Sequence, residues 1–518
     1  MLVCVSTVSA KPAPRGRNPF STTGVRRDPD GVARYADQPA SLVHMLQASV
    51  GRDAAAIALV EVGTGTLTYR ELWDRAARVA GGLRASGVGR GDRVAIRLPN
   101  GIDWVLAFFG AQLAGTVVVP VNTRFTDEEA AYVVNDSGSV YTFAAGAALP
   151  AGDPVVVEDL EPDDLAAIFY TSGTTGFPKG AMLSHANFTA SSESSFRILR
   201  IDRSEGPGIA SLLSLPLFHV TACNSQLITV LELGGKLELL SSPLDLDGMF
   251  QAVGAGRINH FVSVPAIYYA LIHHPRFAEL DVSSVRWAGW GGAPIAESLT
   301  REVLRAFPNA RVGNGFGLTE TSALASFLPH EDAAEHADSV GFAMPVVDLA
   351  IEDADPHSGV GELLVRGPNV VQGYWKAPEA TAETFIDGWL HTGDLARVDA
   401  DGLLYVVDRK KDMINRGGEN VYSLEVENAL AGAPGVGEVA VLPVPDEMMG
   451  EKVGAVIVPA ARAQIDVEAV IAYGRAHLAD FKVPQYLAIR HDPLPRNPNA
   501  KILKRQLRDE TDWGRPLR

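Results

Sequence analysis

Cysteine is scarce in this sequence, and long apolar runs are missing from it. The 518 residues include two cysteines, Cys4 and Cys223, which are too few for a disulfide framework and fit a reducing cytoplasm. No apolar stretch reaches the roughly 20 residues that a membrane-spanning helix needs. These absences exclude a disulfide-stabilised secreted domain and an integral membrane protein, and we expect a cytoplasmic protein.

Positive charge is also in short supply. The 45 Lys and Arg residues are outnumbered by 62 Asp and Glu, for a net charge of −17. Because nucleic acids and anionic membranes require a basic surface, this balance disfavours both as the main partner. Residues 1–40 are rich in Pro, Gly, Arg and Asp, and their positive charges follow the short apolar segment, the reverse of a secretory signal. We expect residues 1–40 to form a poorly ordered leader.

The composition does supply enough apolar residues for more than one core. Apolar residues make up 47% of the chain and charged residues 21%, which is typical of globular proteins, and 518 residues exceed a single core. The run 68–71 predicts a capping box at the start of a helix, and the run 104–114 predicts an apolar helix. The alternation of strand and helix patterns in 68–120 predicts parallel α/β layers. From Gly359 onward, short apolar strands separated by Gly, Pro and Asp predict a small α+β domain. The predicted fold class is therefore α/β, with a large N-terminal domain of layered sheets and a small C-terminal α+β domain that begins within 408–412.

The stretch 171–180, TSGTTGFPKG, has the composition of a phosphate-binding loop. Glycines let the backbone approach an anion, and N–H groups, hydroxyls and Lys179 can then surround a phosphate. A Walker P-loop is excluded, since Pro178 precedes Lys179 and Gly180 follows it. Taken alone, the stretch is equally typical of a flexible surface loop.

Three further turns also follow predicted strands. They are Phe218–His219, Gly291–Gly292 and the stretch GFGLTE at 315–320. Ligands of open α/β sheets bind beyond the carboxyl ends of the strands. The pattern therefore predicts that these turns and the stretch 171–180 contribute to one site.

Several motifs then follow in a fixed order along the chain: GFGLTE at 315–320, TGD at 392–394, DRKKDMINRGGENVYSLEVEN at 408–428 and PRNPNAK at 495–501. Together with TSGTTGFPKG they resemble the adenylate-forming superfamily, which includes acyl-CoA synthetases, luciferases and peptide-synthetase adenylation domains. The resemblance runs from about residue 41 to about residue 508. It implies an N-terminal nucleotide- and acyl-binding domain, 41–408, and a mobile C-terminal domain, 409–518.

The resemblance also implies a two-step reaction. ATP and a carboxylic acid would give an acyl-adenylate and pyrophosphate, and the thiol of coenzyme A would then displace AMP. By the same resemblance Glu320 would bind Mg²⁺, for which a hard carboxylate is suited, and Lys501 would bridge the acid and the α-phosphate. The implied catalytic residues are Lys501, Glu320, Thr319, Lys179 and His219.

The resemblance assigns a larger set of residues to ATP and CoA. Asp394 and Arg409 match the ribose contacts, Phe316 stands where the family commonly has a Tyr on adenine, and Lys411 matches the hinge of the C-terminal domain. The implied nucleotide- and CoA-binding residues are Thr171, Ser172, Gly173, Thr174, Thr175, Gly291, Gly292, Gly315, Phe316, Asp394, Arg409, Gly417 and Gly418.

Plainer structural interpretations stay open for several of these residues. Glu320 is also consistent with a solvated loop residue, Asp394 with a turn residue and Lys411 with a solvated charge run. A lone His219 is more often a structural histidine than a functional one. For each of these residues the functional interpretation comes from the motif in which it stands.

The acid is expected to be apolar. The implied acyl pocket is lined by Phe218, Val220, Thr221, Ala222 and Trp290, and no Asp is placed to bind a substrate amine. A medium- or long-chain fatty acid, an aryl acid and a bulky polycyclic acid, such as a terpenoid or steroid acid, are all consistent with this lining. The expected partners are a small carboxylic acid, ATP and CoA, without nucleic acid, and a homodimer is left open.

Other functions also stay open. Ala500 stands where the family normally has Gly before Lys501, so an alternative is an enzyme that acts mainly on a preformed acyl-adenylate. A non-catalytic nucleotide-binding relative would be expected to lose Lys179, Glu320 or Asp394, and all three are present. A peptide-synthetase-like domain would be expected to carry a carrier domain, for which the length leaves no room.

Overall fold

The computed structural model describes residues 12–171, 178–242, 245–293, 295–497 and 501–517. The chain divides into two compact units. The first holds the chain up to Ala350 together with Leu364–His391 and Val398–Leu404. The second holds Ile351–Leu363, Thr392–Arg397 and the chain from Tyr405 onward.

The strands are numbered in chain order. Strands β1 to β13 are Val25–Arg27, Ala33–Tyr35, Ile57–Glu61, Gly65–Thr68, Arg93–Arg97, Val117–Pro120, Ser139–Ala144, Leu165–Thr171, Lys179–Ser184, Ala210–Leu213, Lys236–Leu239, His260–Ser263 and Trp287–Gly291. Strands β14 to β26 are Arg311–Phe316, Ser326–Leu328, Phe342–Ala343, Asp348–Glu352, Gly361–Arg366, Phe385–Ile386, Trp389–Val398, Leu404–Arg409, Ile414–Arg416, Glu419–Val421, Val436–Asp446, Gly450–Pro459 and Tyr486–Ile489.

The helices are numbered in the same way. Helices α1 to α14 are Leu42–Arg52, Tyr69–Ala85, Ile102–Leu113, Asp127–Ser137, His185–Ile198, Val220–Ala222, Thr229–Leu233, Leu246–Gly254, Pro265–Ile272, Glu297–Ala306, Pro378–Thr384, Ser423–Leu430, Val467–His477 and Lys504–Glu510. A π-helical turn, Cys223–Ile228, joins α6 to α7. Among the described residues, no helix combines the length and the apolar character needed to cross a bilayer.

A nine-stranded sheet forms the largest layer of the first unit. Its order is β16-β15-β14-β13-β12-β10-β11-β3-β4. Strands β3, β11, β10, β12, β13 and β14 run parallel to one another. Their carboxyl ends therefore meet at one edge of the sheet, where the predicted turns after β10, β13 and β14 lie.

A second sheet of the first unit has five strands in the order β7-β5-β6-β8-β9. The predicted apolar helix is α3, and every residue from Trp104 to Leu113 in it is buried. This burial follows because α3 packs against α2, β5 and β6. The capping box predicted at Thr68 and Glu71 is present at the start of α2. Together with the nine-stranded sheet, these layers confirm the predicted α/β class.

Composition predicted a poorly ordered leader at residues 1–40, and the structure of residues 12–40 contradicts that prediction. Strands β1 and β2 form a hairpin there. The ring of Phe20 is buried against Phe327 and Phe342, with centroid distances of 6.4 and 6.3 Å. Arg15 donates hydrogen bonds of 3.0 Å to the carbonyls of Met344 and Val347. The composition missed these contacts because a few large side chains, not the average polarity, tie this segment down.

The second unit is built on the antiparallel hairpin β24–β25. Its sheet has the order β23-β22-β25-β24, with β26 parallel beside β25. Alternate residues of β24 point to opposite faces: Val441 joins a cluster with α12 and α13, whereas Leu442 joins a cluster with α14. This sheet with helices on its faces confirms the predicted small α+β domain. A further sheet has the order β17-β18-β20-β19, with β21 beside β20.

Candidate active site

The turns after β13 and β14 are shaped by glycine. Gly291 ends β13, and a Cβ at this position would lie 2.5 Å from the carbonyl oxygen of Gly315 on β14. Gly292 follows with φ +76°, a conformation that residues with a side chain rarely adopt. The two strand ends can therefore approach each other closely because position 291 lacks a side chain, and the turn that follows depends on glycine at position 292.

Asn100 holds the turn that carries Phe218 and His219. Its buried amide donates to the carbonyl of Leu215 at 2.8 Å and accepts from the N–H of Leu217 at 2.9 Å. The rings of Phe218 and His219 meet edge to face with their centroids 4.7 Å apart. His219 precedes α6, so the predicted pocket residues Val220, Thr221 and Ala222 are presented on a helix.

The ends of the predicted phosphate loop form a β-hairpin. Thr171 ends β8 and pairs with Lys179, which begins β9. The hydroxyl of Thr171 donates to the carbonyl of Lys179 at 3.4 Å. Lys179 thus lies on a strand and not in the loop itself, because β9 turns back along β8. Ser172, Gly173, Thr174 and Thr175 lie outside the described residues.

The phosphate-loop hairpin belongs to the five-stranded sheet, whereas the other predicted turns belong to the nine-stranded sheet. Residues 371–375, here called the linking segment, form hydrogen bonds to the hairpin and to the turn after β14. The backbone N–H of Trp375 donates to the carbonyl of Gly180, on β9 of the hairpin, at 2.7 Å. The backbone N–H of Val371 donates to the carbonyl of Glu320 at 3.0 Å. The linking segment therefore brings the hairpin and the GFGLTE stretch together.

Tyr374 of the linking segment contacts two predicted catalytic residues at once. Its hydroxyl donates to the Glu320 carboxylate with a distance of 2.7 Å to Oε1. The ammonium of Lys179 lies 5.2 Å from the centroid of its ring, within the range of a favourable cation–π contact. Lys179 and Glu320 are therefore neighbours around one buried aromatic ring.

Glu320 lies in a fixed turn. Thr319, Glu320 and Thr321 form a 3₁₀ turn after Phe316, the last residue of β14. The following Ser322 and Ala323 have φ of +51° and +101°, which costs energy for residues with side chains. The buried amide of Asn369 offsets this cost by donating to the carbonyls of Thr321 and Leu324 at 3.1 and 2.8 Å.

The two predicted ribose contacts form an ion pair in the second unit. Arg409 Nε lies 2.8 Å from Oδ1 of Asp394, whose side chain is buried. Arg409 also donates to the Thr392 carbonyl at 3.1 Å, and the Thr392 hydroxyl accepts from the Asp394 N–H at 3.1 Å. Asp394 is thus more than a turn residue, since its orientation is set by a charged partner.

The predicted hinge lies in the turn between β21 and β22. The N–H groups of Asp412 and Met413 both donate to the Arg409 carbonyl. Lys410 binds Glu362 at 2.7 Å, and this hydrogen bond raises the pKa of Lys410. Burial instead lowers the pKa of Lys411, whose nearest acidic oxygen, on Asp412, is 4.0 Å away. Adjacent lysines therefore occupy unlike environments, which a simple solvated charge run would not produce.

The glycine pair and Lys501 lie elsewhere in the second unit. Gly417 and Gly418 form the two-residue turn between β22 and β23, with φ of +61° and +93°. Lys501 is exposed, and its N–H donates to the Asn497 side chain at 3.0 Å. Ala500 lies outside the described residues.

The residues present fit the groups that the resemblance implies. Glu320 offers Mg²⁺ a hard carboxylate whose position is fixed by the Tyr374 hydroxyl. Lys179 adds positive charge beside the phosphate-loop hairpin, and Asp394 offers a carboxylate to ribose hydroxyls. Gly417 and Gly418 present bare backbone.

Comparison with known proteins completes these observations. A profile described as AMP-binding enzyme matches residues 46–156 and 145–375, and one described as AMP-binding enzyme C-terminal domain matches residues 425–501. The chain belongs to the AMP-binding enzyme family. The predicted resemblance to the adenylate-forming superfamily is thereby confirmed.

Relatives and solved structures agree with this membership. A feruloyl-CoA synthase of Amycolatopsis sp is 39% identical over 473 residues, covering 87% of this chain and 95% of the relative. A long-chain-fatty-acid–CoA ligase of Mycobacterium tuberculosis is 35% identical over 488 residues, covering 88% and 95%. The o-succinylbenzoate CoA synthetase of Bacillus subtilis, solved with its acyl-adenylate intermediate, aligns with TM-score 0.83 and 29% identity over 91% of this chain and 99% of that chain.

These relatives settle the enzyme class. The chain is an ATP-dependent, AMP-forming acyl-CoA synthetase, and enzymes of this class use ATP, Mg²⁺ and CoA. The same Bacillus subtilis synthetase has been solved with ATP and a magnesium ion, with TM-score 0.82. The relatives give no support to a non-catalytic nucleotide-binding protein or to an enzyme restricted to preformed acyl-adenylate.

Sequence reasoning missed the positioning residues. Asn100, Asn369 and Tyr374 are named by no motif, although each holds a predicted functional turn. The glycine at 373 was the one available signal, because glycine can mark a backbone conformation that other residues rarely adopt. Gly373 does have φ +139°.

Proposed function

We propose that this synthetase couples an apolar carboxylic acid to CoA through an acyl-adenylate, using the residues assigned above. The grouping of Lys179, Tyr374 and Glu320 carries the proposal. It puts a cation and an anchored carboxylate beside the phosphate-loop hairpin, as charge neutralisation during displacement of pyrophosphate requires.

In the first half-reaction, Lys179 and the hydroxyls of the phosphate loop hold the triphosphate. Thr319 would contact the α-phosphate, and Phe316 at the end of β14 would cover the adenine with its π-face. Glu320 would hold Mg²⁺, which when bound offsets the negative charge of the phosphates. Lys501 would orient the attacking carboxylate.

In the second half-reaction, the thiol of CoA attacks the acyl carbonyl and AMP leaves. Asp394 and Arg409 would retain the ribose through both steps, and the backbone of Gly417 and Gly418 would flank the thiol. We propose Lys411 as the hinge of the C-terminal domain. A rotation there would move Lys501 away from the reacting acyl group and bring Gly417 and Gly418 to it. The domain limits 41–408 and 409–518, a homodimer and a cytoplasmic location stay predictions.

The acid is proposed to bind between the turn of Phe218–His219 and the end of β13. Val220, Ala222 and Trp290 are buried and Thr221 is half-buried, so the lining is mainly apolar. His219 would control entry. One relative is named for a feruloyl group and another for long-chain fatty acyl groups. The corresponding acids both lack an amine.

The test is thioester formation with ATP, Mg²⁺ and CoA across a panel of aryl, fatty, polycyclic and amino acids, read by mass spectrometry. Pyrophosphate release without CoA measures the first step separately. We expect Lys179→Met to reduce pyrophosphate release, and Lys236→Met, on β11, to leave it unchanged. Faster reaction with an amino acid than with any apolar acid would refute the proposal.

A further inference from the structure

The loop that carries Glu320, between β14 and β15, is closed tightly at its base. The N–H of Ala325 donates to the carbonyl of Phe316 at 2.8 Å. Inside this closure, a Cβ on Gly317 would collide with the carbonyl of Ala323. The two sides of the Glu320 loop are therefore packed against each other, so that a shift of one side displaces the other.

The carbonyl of Ser322, two residues after Glu320, accepts hydrogen bonds from two side chains. Ser191 Oγ on α5 donates to it at 2.8 Å, and Asn224 Nδ2 donates to it at 3.2 Å. Both donors are buried, with 1% of Ser191 and 0% of Asn224 exposed. Because Ser322 has φ +51°, which costs energy for a residue with a side chain, the two donors hold a backbone that would otherwise relax.

The two donors come from elements with different neighbours. Ser191 lies on α5, which begins directly after β9 of the phosphate-loop hairpin. Asn224 lies in the π-helical turn Cys223–Ile228, which continues α6 without a break. Asn224 is two residues beyond Ala222, the last of the proposed acyl-pocket residues, and π-helical turns occur frequently at functional sites. Asn224 therefore joins the helix of the acyl pocket to the Glu320 loop by a direct hydrogen bond.

The π-helical turn is also fastened to the nine-stranded sheet. The Gln226 amide donates to the carbonyls of Leu212 and Val262 at 3.3 Å each, at β10 and β12. One side of the turn thus follows the sheet, and the other side follows the Ser322 carbonyl through Asn224. A group that presses on α6 acts directly on this turn, because α6 and the turn are one continuous helical segment.

We infer that Asn224 is a positioning residue that couples the acyl pocket to Glu320, the proposed Mg²⁺ ligand. An acid bound against α6 fixes the π-helical turn, the Asn224 amide then fixes the Ser322 carbonyl, and the closed loop fixes Glu320. The acid and Mg·ATP therefore strengthen each other's binding, and by linkage the effect is equal in both directions. This inference rests on the proposed function, and it adds the residue through which the two substrates act on each other.

The test measures this coupling in the full-length enzyme by titration calorimetry. The acid is the member of the panel above with the highest kcat/KM. The nucleotide, given with Mg²⁺, is an ATP analogue with a methylene bridge between its α- and β-phosphates, so that no pyrophosphate can leave. Saturating acid should lower the Kd of the analogue at least about fivefold, and saturating analogue should lower the Kd of the acid by the same factor.

Two variants assign the coupling to Asn224. Asn224→Ala should reduce the coupling factor to below about twofold, because the connection between α6 and the Glu320 loop is lost. Ser191→Ala removes the other donor to the same carbonyl without touching the pocket helix. It should raise the Mg²⁺ concentration at half-maximal pyrophosphate release by a factor of about 2 to 10 and keep most of the coupling.

The matched control is Gln112→Ala on α3. The Gln112 side chain is as deeply buried as Asn224, and its amide donates to the carbonyl of Ala166 on β8 at 3.0 Å. Both substitutions remove one buried amide and should lower the Tm, but Gln112→Ala should keep the wild-type coupling factor. A purely structural role of Asn224 would make the two variants alike.

Hydrogen exchange of the wild-type enzyme gives a second measurement that needs no variant. The N–H groups of Thr321 and Ser322 donate within the loop to the carbonyls of Leu318 and Thr319 at 3.2 and 3.1 Å, so their exchange reports opening of the loop. The acid alone should slow their exchange by at least about threefold, because a loop held through Asn224 opens less often.

The outcomes separate this inference from the proposed function. A coupling factor of one in the wild type, or a wild-type factor in Asn224→Ala, would refute the coupling role while the synthetase activity stands. An equal loss of coupling in Asn224→Ala and Gln112→Ala, or exchange of the loop amides that the acid leaves unchanged, would refute it as well. No thioester with any acid of the panel would refute the proposed function itself.

Discussion

Replacing Tyr374 by Phe removes one hydroxyl and leaves the aromatic ring in place. The hydroxyl donates to the Glu320 carboxylate at 2.7 Å, whereas the contact with Lys179 is made by the ring. A hydrogen bond to a charged group contributes about 1.5–3 kcal/mol. We therefore expect Tyr374→Phe to slow the adenylation step by about 10- to 100-fold.

The assay is pyrophosphate release measured as a function of Mg²⁺ concentration. Tyr374→Phe should raise the Mg²⁺ concentration at half-maximal rate, because Glu320 loses the group that orients it. Tyr374→Leu should lose the cation–π contact as well and slow the step by a further factor of about 2 to 30. This second loss should appear as a higher KM for ATP.

Tyr170→Phe is the matched control. The Tyr170 hydroxyl donates to the Asp136 carboxylate at 2.6 Å, a bond of nearly the same length and chemistry away from Glu320. It should leave the Mg²⁺ dependence unchanged. A wild-type Mg²⁺ dependence in Tyr374→Phe, or an equal shift in Tyr170→Phe, would show that the hydroxyl does not position Glu320.

Four further predictions follow from the same geometry. Glu320→Gln should lower Mg²⁺-dependent turnover by about 100-fold or more with the fold intact, because a neutral amide is a weak Mg²⁺ ligand. Asp394→Ala should raise the KM for ATP about tenfold, because charge-assisted hydrogen bonds to the ribose are lost. Lys411→Pro should impair thioester formation more than adenylation, because proline fixes φ, whereas Lys501→Ala should lose adenylation yet convert supplied acyl-adenylate and CoA. Burial acts to raise the pKa of Asp348, but hydrogen bonds from Arg27 and Arg366 outweigh burial and hold the pKa below its usual range. The ionised carboxylate therefore stabilises the fold at neutral pH, and Asp348→Asn should reduce the loss of stability below about pH 4.

Each of these predictions has a result that contradicts it. Wild-type turnover of Glu320→Gln at limiting Mg²⁺ would remove Glu320 from the metal site, and unchanged ATP kinetics in Asp394→Ala would leave that residue a purely structural role. Equal losses of both steps in Lys411→Pro and Lys501→Ala would exclude separate conformations for the half-reactions. For Asp348→Asn, the measurement is the midpoint of urea unfolding at pH 7 and pH 3, and a pH dependence equal to that of the wild type would contradict the prediction.

The sequence by itself determined the local elements and the chemical types of the site residues. The capping box of Thr68 and Glu71, the apolar helix α3 and the strands before each turn could be predicted because caps and hydrophobic periodicity are short-range properties. The ordered motifs predicted the enzyme class for the same reason, since each motif is a continuous run such as 315–320. The sequence could identify Gly291 as a turn residue, but it could not show that this position lies close to Gly315 on the neighbouring strand.

Only the tertiary structure decided how these runs meet. Tyr374 lies 54 residues from Glu320 along the chain, and hydrogen bonds at such separations leave no periodic signal in the sequence. The same holds for Asn369 beneath the Glu320 turn and for Phe20, whose burial contradicts the polar average of its segment. The pairing of Ser263 with Trp290 depends on the register of β12 and β13, which pairing across the sheet sets and local sequence does not.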